Sequence, residues 1–220
     1  MPEALLNFLS LLGWHPKQDE EIMSMGEMIE KFDIKDIHKS GAVLDPIKLD
    51  WMNGEYIKRM DIGELHSRIA KFLEEYEGEF YREVFSQRDY EYNTRVIMEL
   101  QTRLKRFDEY ISLTTSLYGE APIRPELMIN PKMKIDTVEQ GMGSLRFVLP
   151  ILESLDYSSL ETMKSPILSA ITAAGMKNGQ VLWPLRVALS GAEFSPGAFE
   201  LAYILGRDET IRRVHNNLNS

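Results

Sequence analysis

Cysteine is absent from the 220 residues, so disulfides, thiolate metal sites and cysteine nucleophiles are all excluded. The absence fits a reducing cytosol, and a cytoplasmic location is the expectation. No apolar run approaches the roughly 20 residues that a membrane span needs. The opening Met1-Pro2-Glu3-Ala4-Leu5-Leu6 has no basic flank of a secretory signal. A basic excess is missing too: the net charge is −9. That weighs at first against nucleic acid, because phosphate binding leaves a basic footprint. The distribution softens the objection. Residues 1–100 hold 12 Lys/Arg against 21 Asp/Glu, and residues 101–220 hold 13 of each. A neutral half can still present a basic face.

Catalytic signatures are also lacking. The four histidines, at 15, 38, 66 and 215, have no spacing that puts two on one helical turn, so no zinc site is written. His38-Lys39-Ser40-Gly41 holds a Lys-Ser pair without the preceding glycine loop of a phosphate cradle. The glycines of Gln140-Gly141-Met142-Gly143 lie in a helical pattern and read as close-packing positions. Met163-Lys164-Ser165 likewise falls within a helix signal. With 34 carboxylates some pairs must fall close together, and solvated helix faces account for them. The chain carries no visible active site and no metal or cofactor site of its own.

What is present is helical periodicity almost throughout. Pro2 opens a helix that Gly13 ends. Ser24 with Glu27 forms a capping box, and Asp45-Pro46 is a cap followed by a first-turn proline. Asn53-Gly54 reads as a break before Glu55–Met60. Asp61 with Glu64 starts a helix through Tyr76. A tyrosine-rich polar stretch around Ser86–Tyr92 precedes a helix from about Asn93 to Phe107 and another to Tyr118. Pro122, Pro125 and Pro131 punctuate a loop. Asp136/Glu139 and Ser158/Glu161 start the next two helices, and a kink is expected in the second at Pro166. Gln180–Ser190, Pro196–Leu205 and Glu209–Leu218 close the chain, with Ser195-Pro196 as an N-cap and first-turn pair. Nothing alternates at period two. The expected fold class is all-α, a helical bundle in two lobes with a boundary near 119–135.

Pro2-Glu3-Ala4-Leu5-Leu6-Asn7-Phe8-Leu9 through Leu12-Gly13-Trp14 forms one of four ordered stretches. A second comprises Phe32-Asp33-Ile34, Lys39-Ser40-Gly41-Ala42-Val43 with Asp45-Pro46, and Leu49–Ile57. The third is Leu182-Trp183-Pro184-Leu185-Arg186-Val187-Ala188-Leu189-Ser190-Gly191. The fourth is Ser195-Pro196-Gly197-Ala198-Phe199-Glu200 with Ile204-Leu205-Gly206. In this order they resemble the carboxy-terminal region of bacterial-type glutamyl-tRNA synthetases over nearly the whole chain. Residues 86–150 match more loosely. The family's histidine-rich catalytic signature and its lysine-serine loop are not in this chain, so ATP and glutamate binding transfer to no residue here. ATP and magnesium are implied only for a full-length enzyme.

The resemblance implies a stem-contact domain (1–60) and two anticodon-binding subdomains (61–130 and 131–220). It also implies tRNA-Glu as partner, an amino-terminal catalytic domain as the covalent neighbour, and a monomer. Unstacked loop bases are read by edge hydrogen bonds and by stacking on arginine or aromatic faces. On that logic Arg186, a planar fork of donors in an apolar helix, is the foremost anticodon candidate. Ser195, Pro196 and Arg103 accompany it. Lys39, Lys58, Arg59, Lys105 and Arg106 are candidates for the tRNA backbone, where contacts position without specifying. Trp51 and Tyr56 read as core, and the 12 methionines as core filling. The rival reading is a helical protein-interaction module whose acidic first half docks a basic partner.

Overall fold

The computed structural model describes all residues except 15, 17–19 and 38–42. The expectations resting on His15, His38, Lys39, Ser40, Gly41 and Ala42 therefore lie outside the described residues. No strand forms among the described residues, only the isolated bridges Trp14↔Ile37 and Asn130↔Ile135, and the chain is all-α. Contacts divide it into two compact units, Met1–Ser112 and Leu113–Ser220.

The first unit holds α1 (Pro2–Gly13), α2 (Met25–Lys31), α3 (Pro46–Arg59), α4 (Ile62–Tyr76), α5 (Gly78–Glu83) and α6 (Tyr90–Leu100). Local side-chain caps start several of these helices, because the first N–H groups of a helix lack backbone partners. Ser24 and Glu27 form the expected capping box of α2. The Asp45 carboxylate accepts from Ile47 N, Asp61 from Gly63 N and Glu64 N, and Asp89 from Tyr92 N. α1 packs on α3, and α4 packs on α5 and α6. Phe8, Met52, Ile57, Leu65, Ile69 and Val96 are buried in the core. Asn7 is buried too, where its Oδ1 accepts from Met23 N at 2.9 Å and lies 2.9 Å from the Tyr56 hydroxyl. Burial raises the Tyr56 pKa above the usual phenol value. Tyr56 is thus a partly buried core residue, as expected. Trp51 is not, for it is 41% exposed.

Two expectations fail here for tertiary reasons. α3 runs unbroken through Asn53-Gly54, because Asn53 is buried and its amide donates to the Lys105 carbonyl. Gln101 Nε2 donates to the carbonyls of Ile57 (3.1 Å) and Met60 (2.8 Å), supplying partners at the helix's open end. Local turn propensity gives way to these contacts. The expected helix 93–107 instead begins at Tyr90 and stops at Leu100. Beyond it the Glu109 carboxylate takes the backbone N–H groups of Lys105 and Arg106, at 2.9 and 3.1 Å, and the segment unwinds. Ahead of the tyrosine-rich stretch lies one more helix than expected, α5. Phe85, just after it, is buried against His66, Tyr81 and Tyr110 at ring-centroid distances of 5.6, 6.0 and 6.1 Å.

The division between the units falls within α7 (Glu109–Tyr118). The second unit continues with 3-10 turns at Pro125–Met128 and Pro131–Met133, then α8 (Val138–Ser154), α9 (Leu160–Ala173), α10 (Asn178–Ser190) and α11 (Ala198–Leu218). The caps of α8 and α9 are Thr137 and Ser159, one residue after the expected Asp136 and Ser158. Each helix continues past its internal proline, Pro150 in α8 and Pro166 in α9. α10 packs on α8, α9 and α11. α11 consists of two helical pieces that meet at Gly206 (φ 75°), matching the expected stop. Gly191 ends α10 at φ 61°, where a Cβ would fall 2.2 Å from the Pro122 carbonyl oxygen, so only glycine fits.

A buried cation braces this unit. Arg213 is 4% exposed and donates to the Ser116, Gly119 and Leu189 carbonyls and to the Glu209 carboxylate. Three of its partners are main-chain oxygens at helix ends and in loops, the groups that otherwise go unsatisfied.

Candidate nucleic-acid interface

α10 supplies the first part of the site. Its run Val181, Leu185, Val187, Ala188 and Leu189 is buried in the unit's core, which leaves Trp183 and Arg186, three residues apart, half-buried on a common face. Trp183 Nε1 donates to the Leu127 carbonyl at 2.9 Å, so the indole is fixed in orientation. The Arg186 guanidinium lies over that indole, 4.3 Å from the ring centroid, an attractive cation–π geometry.

The loop after α10 supplies the second part. Gly191 N donates to the Val187 carbonyl at 2.7 Å, and Ala192 N to the Ser190 hydroxyl at 3.2 Å. Arg186 then reaches across the loop. Its Nη2 donates to the Glu193 carbonyl at 2.8 Å and its Nη1 to the Ser195 hydroxyl at 3.1 Å. Ser195 in turn donates to the Pro196 carbonyl at 3.0 Å. The structure therefore brings together Arg186, Ser195 and Pro196. The expected capping role of Ser195-Pro196 does not hold, because α11 starts at Ala198 with Gly197 as its N-cap. The serine hydroxyl is engaged by the arginine instead, and Pro196 is buried.

The remaining candidates lie in the first unit. Arg103, Lys105 and Arg106 occupy the unwound turn between α6 and α7, not a helical face. Arg103 is exposed and 3.4 Å from Glu99. Arg106 meets Asp108 at 3.0 Å and Asp50 at 3.4 Å, and the bond to Asp108 raises its pKa further. Lys58 pairs with Glu55 at 3.1 Å, and Arg59 is exposed on the last turn of α3. Lys39 lies outside the described residues. Sequence reasoning missed Trp183 as the platform beneath Arg186, although the three-residue spacing carried the signal. It also missed Phe194, which stands in the loop between the two residues that Arg186 holds.

The model of a family described as the anticodon binding domain matches residues 53–218. The chain belongs to the anticodon binding domain family. Residues 1–51 match the model described as the catalytic domain of class I tRNA synthetases (E and Q). The chain is 40% identical over 217 residues to the glutamate–tRNA ligase of Clostridium acetobutylicum, covering 97% of this chain and 42% of that protein. The ligase of Clostridium botulinum (strain Loch Maree) is 38% identical over 221 residues, 100% of this chain and 43% of the relative. A crystal structure of the Elizabethkingia meningosepticum glutamate tRNA ligase, in complex with its amino acid, superposes with a TM-score of 0.82 at 27% identity. It covers 100% of this chain and 41% of the other. This member of the anticodon-binding family thus spans less than half the length of the curated relatives it matches.

Among the described residues no group of three or more acidic or histidine side chains gathers to hold a metal ion. Lys164 of the Met163-Lys164-Ser165 sequence is helical, paired with Glu200 at 3.3 Å and set over the Phe199 ring. This helical segment does not form an adenylate-binding loop.

Proposed function

We propose that this chain binds tRNA-Glu and recognises its anticodon, as the carboxy-terminal part of a glutamate–tRNA ligase. The observation that carries the reading is the Trp183–Arg186–Ser195 assembly, which sits in the family's matched region and joins a stacked guanidinium to a hydroxyl at 3.1 Å. A planar donor array of this kind suits the acceptor edge of an unstacked base, and the low cost of ordering an already braced arginine favours readout. Ser195 shares the contact, and Arg103 meets a second base. Lys39, Lys58, Arg59 and Lys105 contact the tRNA backbone. Arg106 contributes least, because two carboxylates already neutralise it. The functional segments are 1–60 for the stem and 61–130 with 131–220 for the anticodon loop. Aminoacylation itself, with ATP and magnesium, belongs to a catalytic body whose seat is the exposed apolar face of α1 and α2. Leu6, Trp14, Met25, Ile29 and Phe32 line a groove of about 310 Å³ there.

The test is a titration against a tRNA-Glu transcript at two salt concentrations, with Arg186→Ala and an anticodon-swapped tRNA alongside. Salt-sensitive binding is expected, weakened by about 1–3 kcal/mol by either change. Equal, weak binding of both tRNAs by wild type and variant would sink base readout at Arg186. It would bring forward the protein-interaction reading, in which the acidic first half docks a basic partner.

A further inference from the structure

Phe194 is 86% exposed, the most exposed large apolar side chain among the described residues. Leaving a whole phenyl ring in water forfeits the burial that normally stabilises it, so its position calls for a reason. The loop beneath it is firmly built. Arg186 holds the carbonyl of the residue before the phenylalanine and the hydroxyl of the residue after it, at 2.8 and 3.1 Å. On one side the loop is closed by Gly191 and the Ser190–Ala192 hydrogen bond. On the other it is anchored by the buried Pro196. The guanidinium is itself seated on Trp183, whose indole is tied to Leu127. The chain from Leu127 through Trp183 and Arg186 to the loop thus ends in an exposed ring at the apex of a braced turn.

We infer that Phe194 is a base-stacking platform for one unstacked nucleobase of a single-stranded RNA loop, with Arg186 as the residue that positions it. Every base has a π-face, so stacking of this sort gives affinity with little regard to base identity. The ring also suits the surroundings. Glu193 beside it is exposed and repels phosphate, whereas a neutral base face stacking on the phenyl ring carries no such charge. The inference rests on the RNA-binding reading above and adds to it a sequence-tolerant contact distinct from readout at Arg186.

The experiment uses the full chain and a tRNA-Glu transcript carrying 2-aminopurine in its anticodon loop. Binding and the fluorescence of the probe are recorded for wild type, Phe194→Ala, Phe194→Leu and Phe194→Trp. Expected for Phe194→Ala is a loss of affinity of roughly 5- to 100-fold, with loss of the fluorescence change on binding. Phe194→Leu, apolar but without a π-face, loses nearly as much, and Phe194→Trp restores both signals. All variants keep the wild-type melting temperature, because the ring touches little. The Phe194→Ala penalty is the same with an anticodon-swapped tRNA, whereas the Arg186→Ala penalty changes. If wild type binds tRNA-Glu and Phe194→Ala binds equally well with the same fluorescence, stacking is overturned and the anticodon reading stands. If wild type binds no tRNA, both fall together.

Discussion

In Met1–Ser112 large apolar side chains of α2 and α3 stand at the surface, Ile29 at 71% and Ile47 at 81% exposure. In Leu113–Ser220 the reverse holds at Arg213, a cation taken into the interior and satisfied there. The first unit leaves these apolar side chains uncovered, and its residues 1–51 match the catalytic-domain model of class I tRNA synthetases. The second buries its cation among four acceptors and exposes its most accessible large apolar side chain in the loop at Phe194. The two braces are therefore separable within the second unit, where the core is held by Arg213 and the loop around Phe194 by Arg186.

The largest effect tests that brace. Arg213→Met removes four charge-assisted bonds and strands the Ser116, Gly119 and Leu189 carbonyls. The expected loss is about 3–5 kcal/mol, the range for breaking a buried ionic network. Urea unfolding followed by Trp183 fluorescence, in a background with Trp14 and Trp51 replaced by phenylalanine, reads the second unit alone. A shift below about 1 kcal/mol would show that the buried arginine is dispensable.

Next comes a matched pair within α8. At Gly141 an added Cβ would fall 2.8 Å from Met128 Cβ, whereas at Gly143 nothing lies within 4 Å. Gly141→Ala is expected to cost about 1–3 kcal/mol through overpacking. Gly143→Ala should stabilise by roughly 0.5–1 kcal/mol, because alanine loses less backbone entropy in a helix. Equal effects at the two positions would contradict the packing seen against Met128.

These positions also show what the sequence could and could not reveal. The helical pattern around Gly141 was legible, and so was close packing as the purpose of its glycine, but not that Gly143 lacks a neighbour. Capping at Ser24/Glu27 and Asp61 was legible because donor and acceptor lie three residues apart. The continuity of α3 was not, since it depends on Lys105, 52 residues away. Ser195-Pro196 carried the pattern of a cap, yet a partner nine residues back claims the hydroxyl. Arg213 pairs with Glu209 at a four-residue spacing, which reads like any surface pair. Arg186 was singled out through its motif, and its dual hold on the loop is a tertiary fact.

A smaller effect appears at high pH. Burial pushes the Tyr157 hydroxyl up to about 12 from the usual value of 10. The folded chain therefore keeps a proton that the unfolded chain gives up. Stability from this group is complete below pH 10 and is lost as pH rises through about 12. Thermal melts from pH 9 to 12.5 should fall less steeply for Tyr157→Phe than for wild type. Parallel curves would remove Tyr157 from the account.

The smallest change in stability returns to the first unit. Ile29→Ser and Ile47→Ser alter side chains that the fold barely touches, so each should shift the unfolding free energy by no more than about 0.5 kcal/mol. What should change is the surface. An environment-sensitive apolar dye should bind the double variant less than wild type, and concentration-dependent light scattering should decline. The same serine placed at Ile167, buried in α9 of the second unit, should instead cost several kcal/mol, on the order of a large-to-small core substitution, and leave a polar group without a guaranteed partner. If Ile29→Ser and Ile47→Ser destabilise as Ile167→Ser does, those isoleucines support the fold of the first unit and its apolar face is not a vacant seat. If they are silent in stability but reduce dye binding, the two units keep the distinct characters that their exposed and buried side chains indicate.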